Sequence, residues 1–170
     1  MQHTDIREIA GGVIPVGATV TVCGWVRTAR DSKNMAFIEL NDGTTLKHMQ
    51  IVVDKAALTP PAAATHLGAA LRVVGTVVEA QNGRGVEINA SAIDVLGDCP
   101  ADYPLQKKFQ KLETLREAPH LRVRTNTFNA VFRVRSVMAA AIHRFFQERG
   151  YVYVNTPLIT GSDCEGAGEM

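Results

Sequence analysis

Cysteine, aromatic side chains and long apolar runs are all scarce in this chain, and each scarcity excludes a class of protein. The three cysteines, Cys23, Cys99 and Cys164, are odd in number and far apart. No Cys-x-x-Cys pair occurs, so neither a disulfide framework nor a thiolate zinc site is supported, and a reducing, cytoplasmic compartment is expected. The five histidines (His3, His48, His66, His120 and His143) have no metal-ligand spacing and build no nucleophilic triad. No apolar stretch approaches the about 20 residues that cross a bilayer, so no membrane partner is expected. Asp5 and Glu8 stand where a signal peptide would place its apolar core, so none is expected.

Net charge is nearly absent as well, at +1, but its distribution is uneven. Residues 1–100 hold 8 Lys/Arg against 10 Asp/Glu, residues 101–149 hold 10 against 4, and residues 151–170 hold none against 3. A basic middle beside an acidic end suits a polyanionic partner. A helix with solvated basic side chains produces the same count.

What is present is ordinary globular material, 46% hydrophobic over 170 residues, enough for one domain and part of another. Five runs with the period of a strand lie between Thr19 and Gly97: 19–27, 36–41, 48–53, 71–80 and 86–96. Asn41-Asp42-Gly43 and Asn82-Gly83-Arg84-Gly85 supply turns. An Ala-rich stretch, 56–70, interrupted by Pro60-Pro61, has room for one short helix between the third and fourth runs. Five strands with a helix there is the layout of an OB-fold barrel, and a generic five-stranded sheet shares the pattern. Residues 98–120 form a basic connector punctuated by Pro100, Pro104 and Pro119. The spacing of apolar residues predicts a long amphipathic helix over 126–148, capped by Thr125 or Asn126 and stopped by Gly150. A strand pattern follows at 151–155.

Alternation also assigns faces. If Ala36, Ile38 and Leu40 are buried, Phe37 points outward; by the same parity Gln50 and Glu87 point outward beside Met49, Ile51, Val86 and Ile88. An exposed Phe near an amide and a carboxylate on a barrel's strand surface is a platform for an unpaired base, with Arg27 and Arg30 as phosphate partners. The alternative is a Phe37 packed beneath a loop. In the last loop, Ser162, Asp163, Glu165 and Glu169 sit among three glycines. Glu165 is the best placed of them to hold a primary ammonium group, unless these are solvated acids of a surface loop.

Several segments together resemble the class II aminoacyl-tRNA synthetases, most closely the asparaginyl family. They are Val22-Cys23-Gly24-Trp25-Val26-Arg27 with Arg30-Asp31 and Phe37; Tyr103-Pro104-Leu105-Gln106-Lys107-Lys108; His120-Leu121-Arg122 through Phe128; and 146–170. The resemblance implies a fold: an all-β, five-stranded OB-fold barrel (1–98), a connector (99–120), then the first helix and strand of an α+β catalytic domain (121–170). It implies that Phe37 stacks on the central uracil of a tRNA anticodon and that Gln50 and Glu87 hydrogen-bond it. It implies that Pro157 lies at a homodimer interface and that Glu165 holds the amino-acid ammonium. The family's full-length enzymes use ATP and Mg²⁺ to activate asparagine and pass it to tRNA. Their motifs 2 and 3 have no counterpart in these 170 residues, so no catalytic residue, no cofactor and no activity of its own are expected for this stretch. Phe109-Gln110 and Val123 depart from the family pattern. A self-standing OB-fold binder of single strands and the aspartate-specific relative are the alternatives.

Overall fold

The computed structural model describes residues 3–81, 83 and 85–159. Its contacts divide the chain into two units, Met1–Ala130 and Val131–Met170, with the division falling inside a long helix.

The first unit is built on five strands: β1 (Thr19–Asp31), β2 (Met35–Asn41), β3 (Met49–Asp54), β4 (Ala70–Glu79) and β5 (Val86–Gly97). They close into a barrel in the order β1-β2-β3-β5-β4, the OB-fold that the resemblance implies and not the generic sheet that shares its strand pattern. All neighbours run antiparallel except β3 and β5, which pair parallel through Ile51–Ile88 and Val52–Asn89. β1 is longer than its sequence pattern indicates, because it serves two partners. Its first half pairs with β4, from Thr19–Thr76 to Trp25–Ala70. Its second half pairs with β2, from Trp25–Asn41 to Asp31–Ala36. Between Val26 and Thr28 the register slips and Arg27 has no partner on β2. One extra residue at this point bends the strand from one neighbour to the next.

The barrel interior is apolar and closed. Val22, Ala36, Ile38, Leu40, Ile51, Val53, Leu71, Val73, Val77 and Ile88 are fully buried. Removing the Val, Ile and Leu side chains among them from water contributes roughly 1.5–3 kcal/mol each, against the entropy of ordering them. A short helix, α1 (Ile6–Ala10), adds Ile6 and Ile9 to this core. Its five residues are too few to announce a period in the sequence. The turn after β2 fixes it, with the Ile6 N–H donating to Asp42 Oδ2 at 2.7 Å. The helix expected within 56–70 is a single 3-10 turn, Ala62–Thr65, because Pro60-Pro61 cannot lie inside a longer one.

The connector is more structured than its prolines suggest. It contains α2 (Leu112–Glu117), and Tyr103, Leu105 and Leu115 form a second small core with Leu67, Cys99, Leu121 and Phe128 packed on it. Gly68 is required there: its φ is +85°, and a Cβ would stand 2.8 Å from Cys99 Sγ. Arg124 lies over the Trp25 ring at 4.5 Å, a cation–π contact from connector to β1.

The long helix, α3 (Asn126–Gln147), matches its expected bounds to one residue. At its start the Phe128 N–H donates to Thr125 Oγ1 at 3.4 Å. At its end Gly150 has φ +83°, with Gly150 N–H donating to Gln147 O and Tyr151 N–H to Phe146 O. That pair of bonds is a Schellman cap, which terminates helices at glycine. In the second unit Val134, Val137, Met138, Ile142 and Phe145 are exposed along α3. The alternating stretch 151–155 finds no partner strand among the described residues, so no ladder forms there.

Gly75 marks the tightest point of the barrel. It sits where the β4–β5 register shifts, and a Cβ there would stand 2.4 Å from Asn89 O and 2.6 Å from Ile88 Cγ2. Backbone cannot yield as a side-chain end does. Gly75→Ala should therefore destabilise the barrel by roughly 1–3 kcal/mol, the usual cost of overpacking. Urea unfolding measures it, and an unchanged midpoint would show that β4 and β5 are not so closely apposed.

Candidate nucleic-acid interface

Barrel closure and strand parity lay out a grid of outward side chains across β1, β2, β3 and β5. In one row Arg30 pairs with Phe37, Phe37 with Val52, and Val52 with Asn89. In the next row Thr28 pairs with Glu39 and Glu39 with Gln50, whose side chain reaches Glu87. The inward residues between these positions, Ile38, Leu40, Ile51 and Ile88, are all fully buried. Each grid position is therefore forced to the outer face.

Thr28, Arg30, Phe37, Glu39 and Gln50 line one open depression of about 190 Å³. Phe37 is 38% exposed, so it is not packed beneath a loop. A ring held by the sheet and open to solvent can stack a planar base, and the polar groups around it can meet the base's edge. Thr28 Oγ1 donates to Glu39 Oε2 at 2.9 Å, and Gln50 Nε2 donates to Glu87 Oε2 at 2.9 Å.

Two expected site residues stand differently from their neighbours. Glu87 has the predicted outward parity but is only 5% exposed. It does not line the depression that holds Phe37. It borders a second, larger groove of about 500 Å³ with Val52, Asp54, Glu79 and Asn89. Arg27, the bulged residue of β1, does not line the Phe37 depression either, whereas Arg30 does. Burial of the Arg27 guanidinium pulls its pKa below the ordinary value; Tyr103 and Glu39 oppose the shift and Arg124 adds to it. Arg27 thus belongs to the electrostatic neighbourhood of the connector. A β-bulge re-aims one side chain, and strand alternation in the sequence gives no sign of where a bulge falls.

Thr28 and Glu39 were missed by sequence reasoning. The signal for Glu39 was available, because it has the parity of Phe37; Thr28 has the parity of the buried Val20, Val22 and Val26, and only the bulge at Arg27 turns it outward. Of the residues in the second unit, Pro157 is exposed. Glu165 and the acidic loop around it lie outside the described residues. Among the described residues no three His, Cys, Asp or Glu side chains gather as metal ligands. No helix among them is long and apolar enough to cross a membrane.

Two family models match the chain: an OB-fold nucleic acid binding domain over residues 20–96, and tRNA synthetases class II (D, K and N) over residues 111–170. A barrel with a base-sized platform, followed by a class II segment, defines the N-terminal end of a class II synthetase. The asparagine–tRNA ligase of Porphyromonas gingivalis strain W83 is 51% identical over 173 residues, taking in 100% of this chain and 37% of that protein. The Acetivibrio thermocellus asparagine–tRNA ligase is 53% identical over 158 residues, 91% of this chain and 34% of that protein. The chain thus spans little more than a third of the length of these relatives. Among solved structures, asparaginyl-tRNA synthetase from Pyrococcus horikoshii complexed with asparaginyl-adenylate superposes with a TM-score of 0.85. At 21% identity, over 98% of this chain and 39% of that one, it bears on the fold alone. The chain belongs to the asparaginyl-tRNA synthetases, within the class II subgroup for aspartate, lysine and asparagine, and corresponds to their N-terminal portion.

The same neighbourhood yields a pH signature. His48 titrates below its ordinary 6.5, first because burial disfavours the cation and second because Arg27 repels it, with Glu39 opposing. With the folded value below the unfolded one, the unfolded chain takes up the proton first. The stability His48 contributes is therefore present above about pH 6.5 and is lost as pH falls through the folded value. NMR titration should give a His48 midpoint below 6.5, and Arg27→Met should raise it part of the way. A midpoint at or above 6.5 would contradict the burial of His48, and an unmoved midpoint in Arg27→Met would contradict this placement of Arg27.

Proposed function

We propose that this chain is the anticodon-reading, N-terminal part of a ligase that uses ATP, with Mg²⁺, to activate asparagine and attach it to its tRNA in translation. The observation that carries the reading is the half-exposed Phe37 ring, set on the outer face of an OB-fold barrel beside Arg30 and Gln50. Phe37 stacks on the central uracil of the anticodon. Gln50 and Glu87, hydrogen-bonded to each other, form the polar pair at the base's edge. Arg30 meets a flanking phosphate, and Arg27 adds positive charge at the connector side. The names of the relatives support the choice of asparagine. The class II match over residues 111–170 favours a synthetase over a self-standing single-strand binder.

In this reading residues 1–98 form the anticodon domain, 99–120 the connector, and 121–170 the opening of the catalytic domain. Pro157 lies at the contact between two copies in a homodimer, and Glu165 holds the ammonium of asparagine. These 170 residues match little more than a third of the length of the related ligases. The 170-residue chain should therefore show no asparagine-dependent exchange of pyrophosphate into ATP, and measurable exchange would overturn that part of the proposal.

Base stacking on an aromatic side chain contributes roughly 1–3 kcal/mol in single-strand binders. Phe37→Ala should weaken binding of a stem-loop carrying a GUU anticodon about ten-fold or more, measured by fluorescence anisotropy at one fixed salt concentration. Unchanged affinity would remove the platform from the account.

A further inference from the structure

The connector carries a second exposed ring, away from the barrel. Phe109 is 94% exposed, more than any other aromatic side chain among the described residues. Phe109-Gln110 depart from the family pattern, so the resemblance assigns Phe109 no role. Cations surround it. Lys107, Lys108 and Lys111 are exposed, and no acid occurs between Leu105 and Leu112. None of the three lysines enters an ion pair among the described residues.

The loop that presents these groups is tied at its base. Leu105 before it and Leu115 of α2 after it are buried in the same small core. Gln106 Nε2 donates to Tyr103 O and Gln110 Nε2 donates to Pro104 O, so both amides turn back onto the chain that enters the loop. On the far side the Leu115 N–H donates to Lys111 O at 3.1 Å. Lys107, Lys108 and Phe109 stand between these ties. One exposed ring is ordinary on a protein surface; one held out by a tied loop among three unpaired cations is a contact with a defined chemistry.

The ammonium groups decide what can cover the ring. A protein contact would strip their water with no carboxylate nearby to replace it, and lysine is depleted from the centre of such contacts. Lipid surfaces are held by clusters of about four to eight basic residues, more than this loop has. RNA supplies both complements at once, phosphates for the lysines and the flat face of an unpaired base for the ring. A contact this small is weak alone, but it becomes intramolecular on an RNA that the barrel already holds.

We propose that the 107–111 loop is a second RNA contact, in which Phe109 stacks on an unpaired base and the lysines meet the adjoining phosphates; that the RNA is the one held at Phe37 rests on the anticodon reading above. The paired stem below an anticodon offers no free base face, and its loop is taken up at Phe37. The base on Phe109 therefore belongs to the rest of the tRNA.

The test titrates the full 170-residue chain with the GUU anticodon stem-loop and with a whole tRNA that carries it, by fluorescence anisotropy over a series of salt concentrations. Phe109→Ala should weaken the tRNA about five-fold or more, the lower end of what base stacking contributes, and leave the stem-loop within about two-fold of wild type. Phe109→Trp should restore the tRNA. Lys107→Gln together with Lys108→Gln should reduce the log–log salt slope for the tRNA by about one per lysine, with the slope for the stem-loop unmoved. Unchanged tRNA affinity in Phe109→Ala, or equal weakening of both RNAs, overturns the assignment of the loop and leaves the anticodon reading standing. Binding to phosphatidylserine vesicles that Phe109→Ala abolishes, with both RNA affinities unchanged, overturns it in favour of a lipid surface. Phe37→Ala without effect on the stem-loop overturns the anticodon reading, while the Phe109-dependent part of tRNA affinity is still read separately.

Discussion

Two residue pairs, Ile51–Ile88 and Val52–Asn89, join β3 to β5, and they are the only parallel pairing in the barrel. Without them the sheet would stay open between those strands and Gln50 would have no reason to meet Glu87, 37 positions away. With them, Ile51 and Ile88 are drawn into the interior with Ile38 and Leu40, and the residues between are turned outward together. The candidate site therefore depends on closure of the core. Its polar residues come from four strands, and their spacing is set by the apolar residues that alternate with them.

The bulge at Arg27 is the second constraint. It lets β1 leave β4 and continue along β2, and it divides the strand's basic residues between two neighbourhoods. Arg30 stays with Phe37. Arg27 feels Tyr103 and Arg124 of the connector as well as Glu39 of β2, and Arg124 covers Trp25. The connector's small core around Tyr103, Leu105 and Leu115 holds that side in place. A single extra residue in one strand thus separates the groups around Phe37 from those that tie the barrel to the following segment.

Period-two alternation made much of this legible in advance. The five runs, the inward set from Val20 to Ile88 and the outward parity of Phe37, Gln50 and Glu87 all follow from it, because a closed barrel obeys a strict two-face rule. Alternation tells direction and not depth, which is why Glu87 was placed on the right face while its burial was not foreseen. The bulge at Arg27 was invisible for a related reason: the sequence reads as one continuous strand until its two partners are known. α1 and α2 are too short to show a helical period, and both are held by contacts made elsewhere in the chain, α1 by Asp42 and α2 by Leu115 in the second core. α3 was legible to its last turn because 22 residues carry a period and Gly150 marks its end.

The central claim is that one outer patch of the barrel, centred on Phe37, meets an unpaired base. Chemical-shift mapping of the labelled 170-residue chain, titrated with the GUU anticodon stem-loop, tests it most directly. The account predicts that the largest perturbations fall on Thr28, Arg30, Phe37, Glu39 and the Gln50 side-chain amide. Perturbations centred instead on the β4–β5 face around Arg72 and Asp94, with the Gln50 amide unmoved, would contradict it.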